Sequence, residues 1–201
     1  MGYYMNDHME SSYIKEIVEK ISENSLISYE DLPKYDLFLS QVIDYLNDKF
    51  MDENFTNNIV QNYIKSEVIT KPEDGKKRGY TKIHLIQLVL LSYMRPVLTT
   101  EEIKKVFSLA FNEINERDDD IIGWQDAYKI FSEIQDESLN EYLKASLENE
   151  KKLKERVKCL NLKDSEEEER ITVFLLVLSL IAEASVIKKL VQKIVKEYHA
   201  H

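Results

Sequence analysis

The sequence predicts a mainly α-helical protein, and three observations carry that prediction. Four glycines and three prolines in 201 residues are too few for a fold built on tight turns and sheets. Apolar residues recur three and four positions apart along most of the chain. A 43% hydrophobic content beside 32% charged residues supports a real core and argues against wholesale disorder.

Taken in order, Ile14, Ile17, Val18 and Ile21 mark a short amphipathic helix over residues 9–23, followed by a connector that contains Pro33. Leu39, Val42, Ile43, Leu46 and Phe50 share one face of a helix expected over residues 37–50. Thr56 is a candidate N-cap for a helix over residues 57–68. After the Gly- and Pro-bearing stretch TKPEDGKKRGY, an apolar helix is expected over residues 81–93, stopped by Pro96. Thr99 and Glu102 form a capping box for a helix over residues 100–116. An acidic break follows near residue 120. Two long helices are then expected, at residues 124–157, with a possible interruption near Asp136, and at residues 165–198.

Several functions are excluded by what the chain lacks. One cysteine, Cys159, permits no internal disulfide and no thiolate metal cluster, and suits a cytoplasmic protein; it is expected as a small apolar filler. Four scattered glycines cannot spell a P-loop or a dinucleotide fingerprint, and there is no His-Glu-x-x-His. His84 stands alone on a helix, where packing is a far commoner role than catalysis. Asp118, Asp120 and Gly123 resemble the start of a calcium loop, but Ile122 and Lys129 occupy ligand positions. No enzyme, cofactor or metal is expected. The N-terminus has no basic region followed by an apolar core, so it is not a secretory signal. The uncharged run at residues 171–182 is shorter than the ~18–20 residues of a membrane span, so a buried helix and no membrane partner are expected.

Charge is partitioned along the chain. The net charge is −10, yet residues 54–95 hold seven lysines and arginines against three acids, a local +4 that leaves −14 elsewhere. Within that segment, NNIVQNYIKSEV places Ile59, Val60, Tyr63 and Ile64 on one side of a helix. Asn58, Gln61, Asn62 and Lys65 gather on the other, a face of amides and one cation with no carboxylate. Amides pair with adenine edges, and a cation suits phosphate or guanine. Two successive helices ending in such a face make a helix-turn-helix candidate. Lys76, Lys77 and Arg78, between Gly75 and Gly79, would form a basic hairpin tip against the phosphate backbone. A solvated loop and an ordinary surface helix account for the same residues about equally well.

From Phe55 to Ile103 the order of elements resembles the MerR-type DNA-binding domain. VQNYIKSEVITKP is similar to that family's Arg-Tyr-Tyr helix, turn and Leu-Ile-Pro-like exit. RGYTKIHLIQLVLLSYM is similar to its Arg-x-Tyr wing exit and apolar helix, and LTTEEIKKVF to the Leu-x-x-Glu-Ile helix that follows. A nearer likeness is to an uncharacterised bacterial family with this MerR-like core, whose members carry a preceding segment like LPKYDLFLSQVIDYLNDKF. The wider resemblance covers residues 31–106. It implies that Tyr63 touches phosphate, that Arg78 is the wing arginine, and that Tyr80 closes the wing onto the core. Gln61 and Asn62 replace the usual arginine and first tyrosine, and Glu67 stands where glycine normally ends the helix. The C-terminal cysteines of the family's metal sensors are absent.

The expectation is therefore a mainly α protein: an N-terminal MerR-like winged helix-turn-helix with a small β-hairpin wing, followed by a helical C-terminal domain with long helices. Residues 1–30 form a helical arm, residues 31–118 the winged helix-turn-helix, and residues 119–201 a dimerisation or partner-binding domain. A cytoplasmic transcriptional regulator is expected, its partner double-stranded DNA. Asn58, Gln61, Asn62, Tyr63, Lys65, Lys76, Lys77, Arg78 and Tyr80 would make the contacts. The excess apolar surface of the last helix suggests a homodimer. The alternative is an acidic helical interaction module whose helix-turn-helix no longer binds DNA.

Overall fold

A computed structural model describes residues 15–17, 20, 27–51, 53–72, 79–116, 118 and 120–198. It contains α1 (Leu39–Lys49), α2 (Asn57–Lys65), α3 (Lys82–Met94), α4 (Thr100–Phe107), α5 (Trp124–Lys158) and α6 (Ser165–Tyr198). The mainly helical expectation holds. Residues 1–23 with 136–186 form one compact unit, and residues 24–135 with 187–201 form another.

The larger unit is organised around α3. Its residues 84–89, with Leu91 and Ser92, are all buried, so this short helix is the central strut of the core. Around it lie Val42 and Leu46 of α1, Val60 of α2 and Ile103 and Phe107 of α4. Three of its polar side chains are buried, His84, Gln87 and Ser92. His84 Nδ1 accepts from the Thr81 backbone N–H at 3.1 Å and so caps α3 from within. A lone pair facing that N–H leaves the ring's proton on Nε2. Gln87 Oε1 accepts from the Thr70 N–H at 2.9 Å, and its Nε2 donates to Thr70 Oγ1 at 2.7 Å. Thr70 Oγ1 passes the chain on to the Ile114 carbonyl at 2.8 Å.

The core runs on past residue 118. Trp124, at the start of α5, stacks on Phe111 with centroids 3.5 Å apart and meets the edge of Phe107 at 5.1 Å. One turn later Tyr128, fully buried, donates its hydroxyl to the Ile27 carbonyl at 2.8 Å. Burial holds its phenol well above the ordinary tyrosine range. Both residues lie within the unit that holds α1–α4, on the far side of the acidic break expected near residue 120.

In the other unit, half-buried or buried positions recur along α5 at 139, 143, 146, 150, 153 and 157, alternating by four and three. Glu150 is on this seam, 3% exposed, and ion-pairs with Lys154 at 2.9 Å. The interruption expected near Asp136 is not found, for α5 is continuous through it. Beyond α5, Asn161 takes a left-handed conformation (φ 51°), which asparagine tolerates, and α6 begins with three glutamates in its first turn, favourable at the positive end of the helix dipole. Cys159 is exposed rather than an apolar filler.

Three further expectations are corrected. Among the described residues there is no strand, so the β-hairpin wing is not found; Tyr80 instead makes a single antiparallel bridge with Leu37. The physical reason lies on the described flank: the Thr70 N–H goes to Gln87, the Lys71 N–H goes to Asn115, and Pro72 has none to give a ladder. The helix expected over residues 100–116 ends at Phe107, where Ser108 donates its hydroxyl to the Lys105 carbonyl and competes with the helical ladder. The last helix is not buried on most sides. Phe174, Val177, Leu178, Ile181, Ile187, Leu190 and Ile194 are all exposed in the single chain. By length and composition alone α6 is long and apolar enough to cross a membrane.

Tyr45 yields a pH-dependence prediction. Burial pushes its phenol up to about 12, and its hydroxyl finds no hydrogen-bond partner among the described residues. The unfolded chain releases this proton near pH ~10, whereas the folded protein holds it until about 12. The stabilisation is therefore complete below about pH 10 and is lost as pH rises through that window. Tyr45→Phe is expected to move the alkaline unfolding midpoint upward without loss of stability at pH 7, read by circular dichroism against pH.

Candidate nucleic-acid interface

The candidate surface is set by the way α2 is held. Asn47 on α1 clasps the chain just before α2. Its Oδ1 accepts from the Phe55 N–H at 2.7 Å, and its Nδ2 donates to the Phe55 carbonyl at 3.1 Å. Phe55 itself is buried, so the chain at residues 53–56 is pinned between α1 and the core. Thr56 then caps α2 as its sequence position predicts, accepting from the Ile59 N–H at 3.3 Å.

The far end of α2 is equally fixed. The Val68 N–H donates to the Tyr63 carbonyl and the Glu67 N–H to that of Ile64, at 2.9 and 3.0 Å, which is the paired pattern of a Schellman stop. That stop requires a left-handed residue, and Glu67 supplies it with φ 54°. The helix consequently ends at Lys65, three residues before the expected Val68. Val68, Ile69 and Thr70 then plunge into the core, where the Gln87 clasp receives them. An L-residue in this conformation is strained by roughly 1–2 kcal/mol, partly offset by the greater freedom glycine has when unfolded. Glu67→Gly is expected to raise unfolding free energy by roughly 0.5–1 kcal/mol in urea titrations. A loss of stability would show that the side chain contributes more than its backbone costs.

Between these anchors α2 buries Val60 and half-buries Ile59, Tyr63 and Ile64, the four residues expected on its inner face. Asn57, Asn58, Asn62 and Lys65 are exposed, and α2 carries no carboxylate. Gln61 departs from this arrangement. It is half-buried, and its Nε2 donates to the Tyr80 hydroxyl at 3.4 Å, so the amide braces α2 against the chain entering α3. Tyr80 is only 6% exposed. Its backbone pairs with Leu37, its ring meets His84 edge-on with centroids 5.5 Å apart, and burial raises its phenol pKa. It is a bracing residue inside the core rather than a surface contact.

Tyr63, Asn62 and Lys65 open onto a shallow hollow that also takes in Ile59, Ser66, Arg95 and Thr100. Arg95 was not among the residues singled out from the sequence. It caps the end of α3, lies 4.7 Å above the Phe55 ring and pairs with Glu53 at 2.5 Å. Its position eight residues past the buried Gln87, just before Pro96, gives no sign that it would return to the side of α2. Thr100 opens α4, whose capping box is formed as expected: the Thr99 N–H donates to Glu102 and the Glu102 N–H to Thr99 Oγ1. Those bonds from Thr99 hold the Glu102 carboxyl below the usual glutamate range. The stabilisation from this N-terminal capping box is thus present above that range and lost as pH falls through it. The structure therefore gathers Asn58, Asn62, Tyr63 and Lys65 on or beside one exposed face, and turns Gln61 and Tyr80 inward. Lys76, Lys77 and Arg78 lie outside the described residues.

On α1 the exposed side carries Asp44 and Asp48, so the neighbouring surface is acidic. Among the described residues no three His, Cys, Asp or Glu side chains gather as a metal site. The profile described as "Domain of unknown function (DUF1836)" matches residues 27–131, just over half of the chain. No curated protein and no solved structure matches the chain.

Proposed function

The chain belongs to the DUF1836 family, and we propose that it is a DNA-binding regulator in which α1 and α2 act as a MerR-like helix-turn-helix. One observation carries this reading. The exposed face of α2 presents Asn58, Asn62 and Lys65 with no carboxylate, in a chain of net charge −10. Surface amides on a rigidly anchored helix suit adenine edges in the major groove, and Lys65 suits phosphate or guanine. Tyr63 and Arg95, beside the same hollow, would serve the flanking backbone, as would Lys76, Lys77 and Arg78. Asn47, Gln61 and Tyr80 would act indirectly, by fixing the pose of α2. In this reading the protein works in the cytoplasm, without catalysis or cofactor, and as a homodimer on paired half-sites.

Salt dependence tests it. Affinity for duplex DNA, followed by fluorescence anisotropy, should fall steeply as salt rises. Lys65→Ala and Arg78→Ala should each lower the slope of log K against log salt by about 0.9, one phosphate contact apiece. No detectable duplex binding at low salt would end the proposal. The second reading is a protein-interaction module, favoured by the acidic Asp44 and Asp48 beside α2. It predicts a partner bound with little response to Lys65→Ala.

A further inference from the structure

Between the ends of α2 and α4, within one compact unit, lies an open cavity of about 370 Å³ that the DNA reading does not use. Its base is apolar and fixed. Phe107 and Phe111 are buried there, Phe111 is backed by the Trp124 indole, and Val68 is fully buried beside them. The turn at residues 112–115 forms another wall. It is tied to the exit from α2 by the Thr70 hydroxyl, which donates to the Ile114 carbonyl at 2.8 Å, and by the Lys71 N–H, which donates to Asn115 Oδ1 at 2.9 Å. A cavity of this size, with a rigid apolar base and a few polar groups, suits a small molecule.

Charges of both signs stand round it: Glu67 at the stop of α2, Lys104 in the last turn of α4 and Glu113 in the following turn. Among the described residues none of these three side chains has an ion-pair partner, although each lines the same small space. Opposite charges held apart around an apolar base complement a ligand that carries both charges beside an apolar group. We propose that the cavity binds a free α-amino acid with an apolar side chain. Its carboxylate pairs with Lys104, its ammonium with Glu67 and Glu113, and its side chain lies against Phe107 and Phe111.

Other classes of ligand fit less well. Two carboxylates against one lysine repel a phosphate or a dicarboxylate, and Lys104 opposes a simple amine. A wholly apolar molecule would cover the charged groups without pairing them. Glu67 also gives the site a bearing on α2. Its backbone is left-handed, with φ 54°, a conformation that glycine adopts at less cost, and glycine would lack the carboxylate. An amino acid held there rests against the stop of the helix proposed to face DNA. The binding does not depend on that reading: a chain that takes up an amino acid yet binds no duplex would keep this site and lose the other.

The test uses the full chain, isotopically labelled, with L-leucine, L-methionine and L-phenylalanine as probes, followed by NMR and calorimetry. At least one of them should shift the resonances of residues 67, 104 and 111–115 together and saturably. The amide of that amino acid lacks the carboxylate, and its deaminated acid lacks the ammonium. Each should bind more weakly by about tenfold or more. Lys104→Met should weaken the amino acid by a like factor and leave the amide unchanged, which separates a lost pairing from a lost fold. Glu67→Gly should weaken it too, although that variant is expected to be more stable than the parent. No saturable shift with any of the three, or a deaminated acid that binds as well as the amino acid, would overturn the proposal. So would an affinity that Lys104→Met or Glu67→Gly leaves unaltered.

Discussion

Trp124→Ala is expected to cost about 3–5 kcal/mol of stability, the usual range for removing a fully packed tryptophan. Trp124 is 3% exposed, stacks face to face on Phe111 and meets Phe107 edge-on. It is therefore an apolar contact by which the start of α5 packs on Phe107 of α4 and on Phe111 just beyond it. Loss of the indole leaves Phe111 without its stacked partner and opens a cavity that rigid helices fill poorly. Urea titration of the variant should show a midpoint shift of that size. A loss below 1 kcal/mol would mean that residues 27–116 hold together without α5, as a boundary near residue 118 implies. The family match extends to residue 131, which fits a core that includes Trp124 and Tyr128.

Gln87→Leu is expected to have the second-largest effect, about 1–3 kcal/mol, although leucine suits a buried helix better than glutamine does. The cost arises at Thr70. Its backbone N–H and Oγ1 both bond to the Gln87 amide, and it is only 6% exposed. With the amide removed, the Thr70 N–H is left buried without a partner. The exit from α2 should loosen locally, so amide exchange at Thr70 should rise more than global stability falls. Exchange at Thr70 that tracks the global transition would show that the clasp adds nothing beyond packing.

Much of the helical scaffold is legible in the sequence because its signals are local. Apolar spacing gives α1, α3, α5 and α6 to within two residues. Thr56 and the Thr99–Glu102 pair mark their helix starts directly. The inner and outer faces of α2 follow from periodicity, apart from Gln61. That exception has a physical cause. A side chain at the border between faces goes wherever a partner is offered, and the Tyr80 hydroxyl lies nineteen residues away. Glu67 shows the opposite case, where a position suited to glycine is filled by a residue that must accept a left-handed backbone.

The rest depends on contacts far apart in the chain. The acidic residues before Trp124 look like a boundary, and only the stacking on Phe111 reveals that the core continues. Arg95 reaches the hollow beside α2 because α3 is buried on all sides and directs its C-terminal cap there. The apolar run in α6 reads as a buried helix, since composition cannot say whether its cover comes from the same chain or from another.

The most direct measurement is titration of the isotopically labelled protein with a random-sequence duplex pool at low salt, followed by NMR. The account predicts that the side-chain amides of Asn58 and Asn62 and the backbone resonances around Lys65 shift together, and that raising the salt reverses the change. Unmoved α2 resonances, or shifts confined to other surfaces, would contradict it.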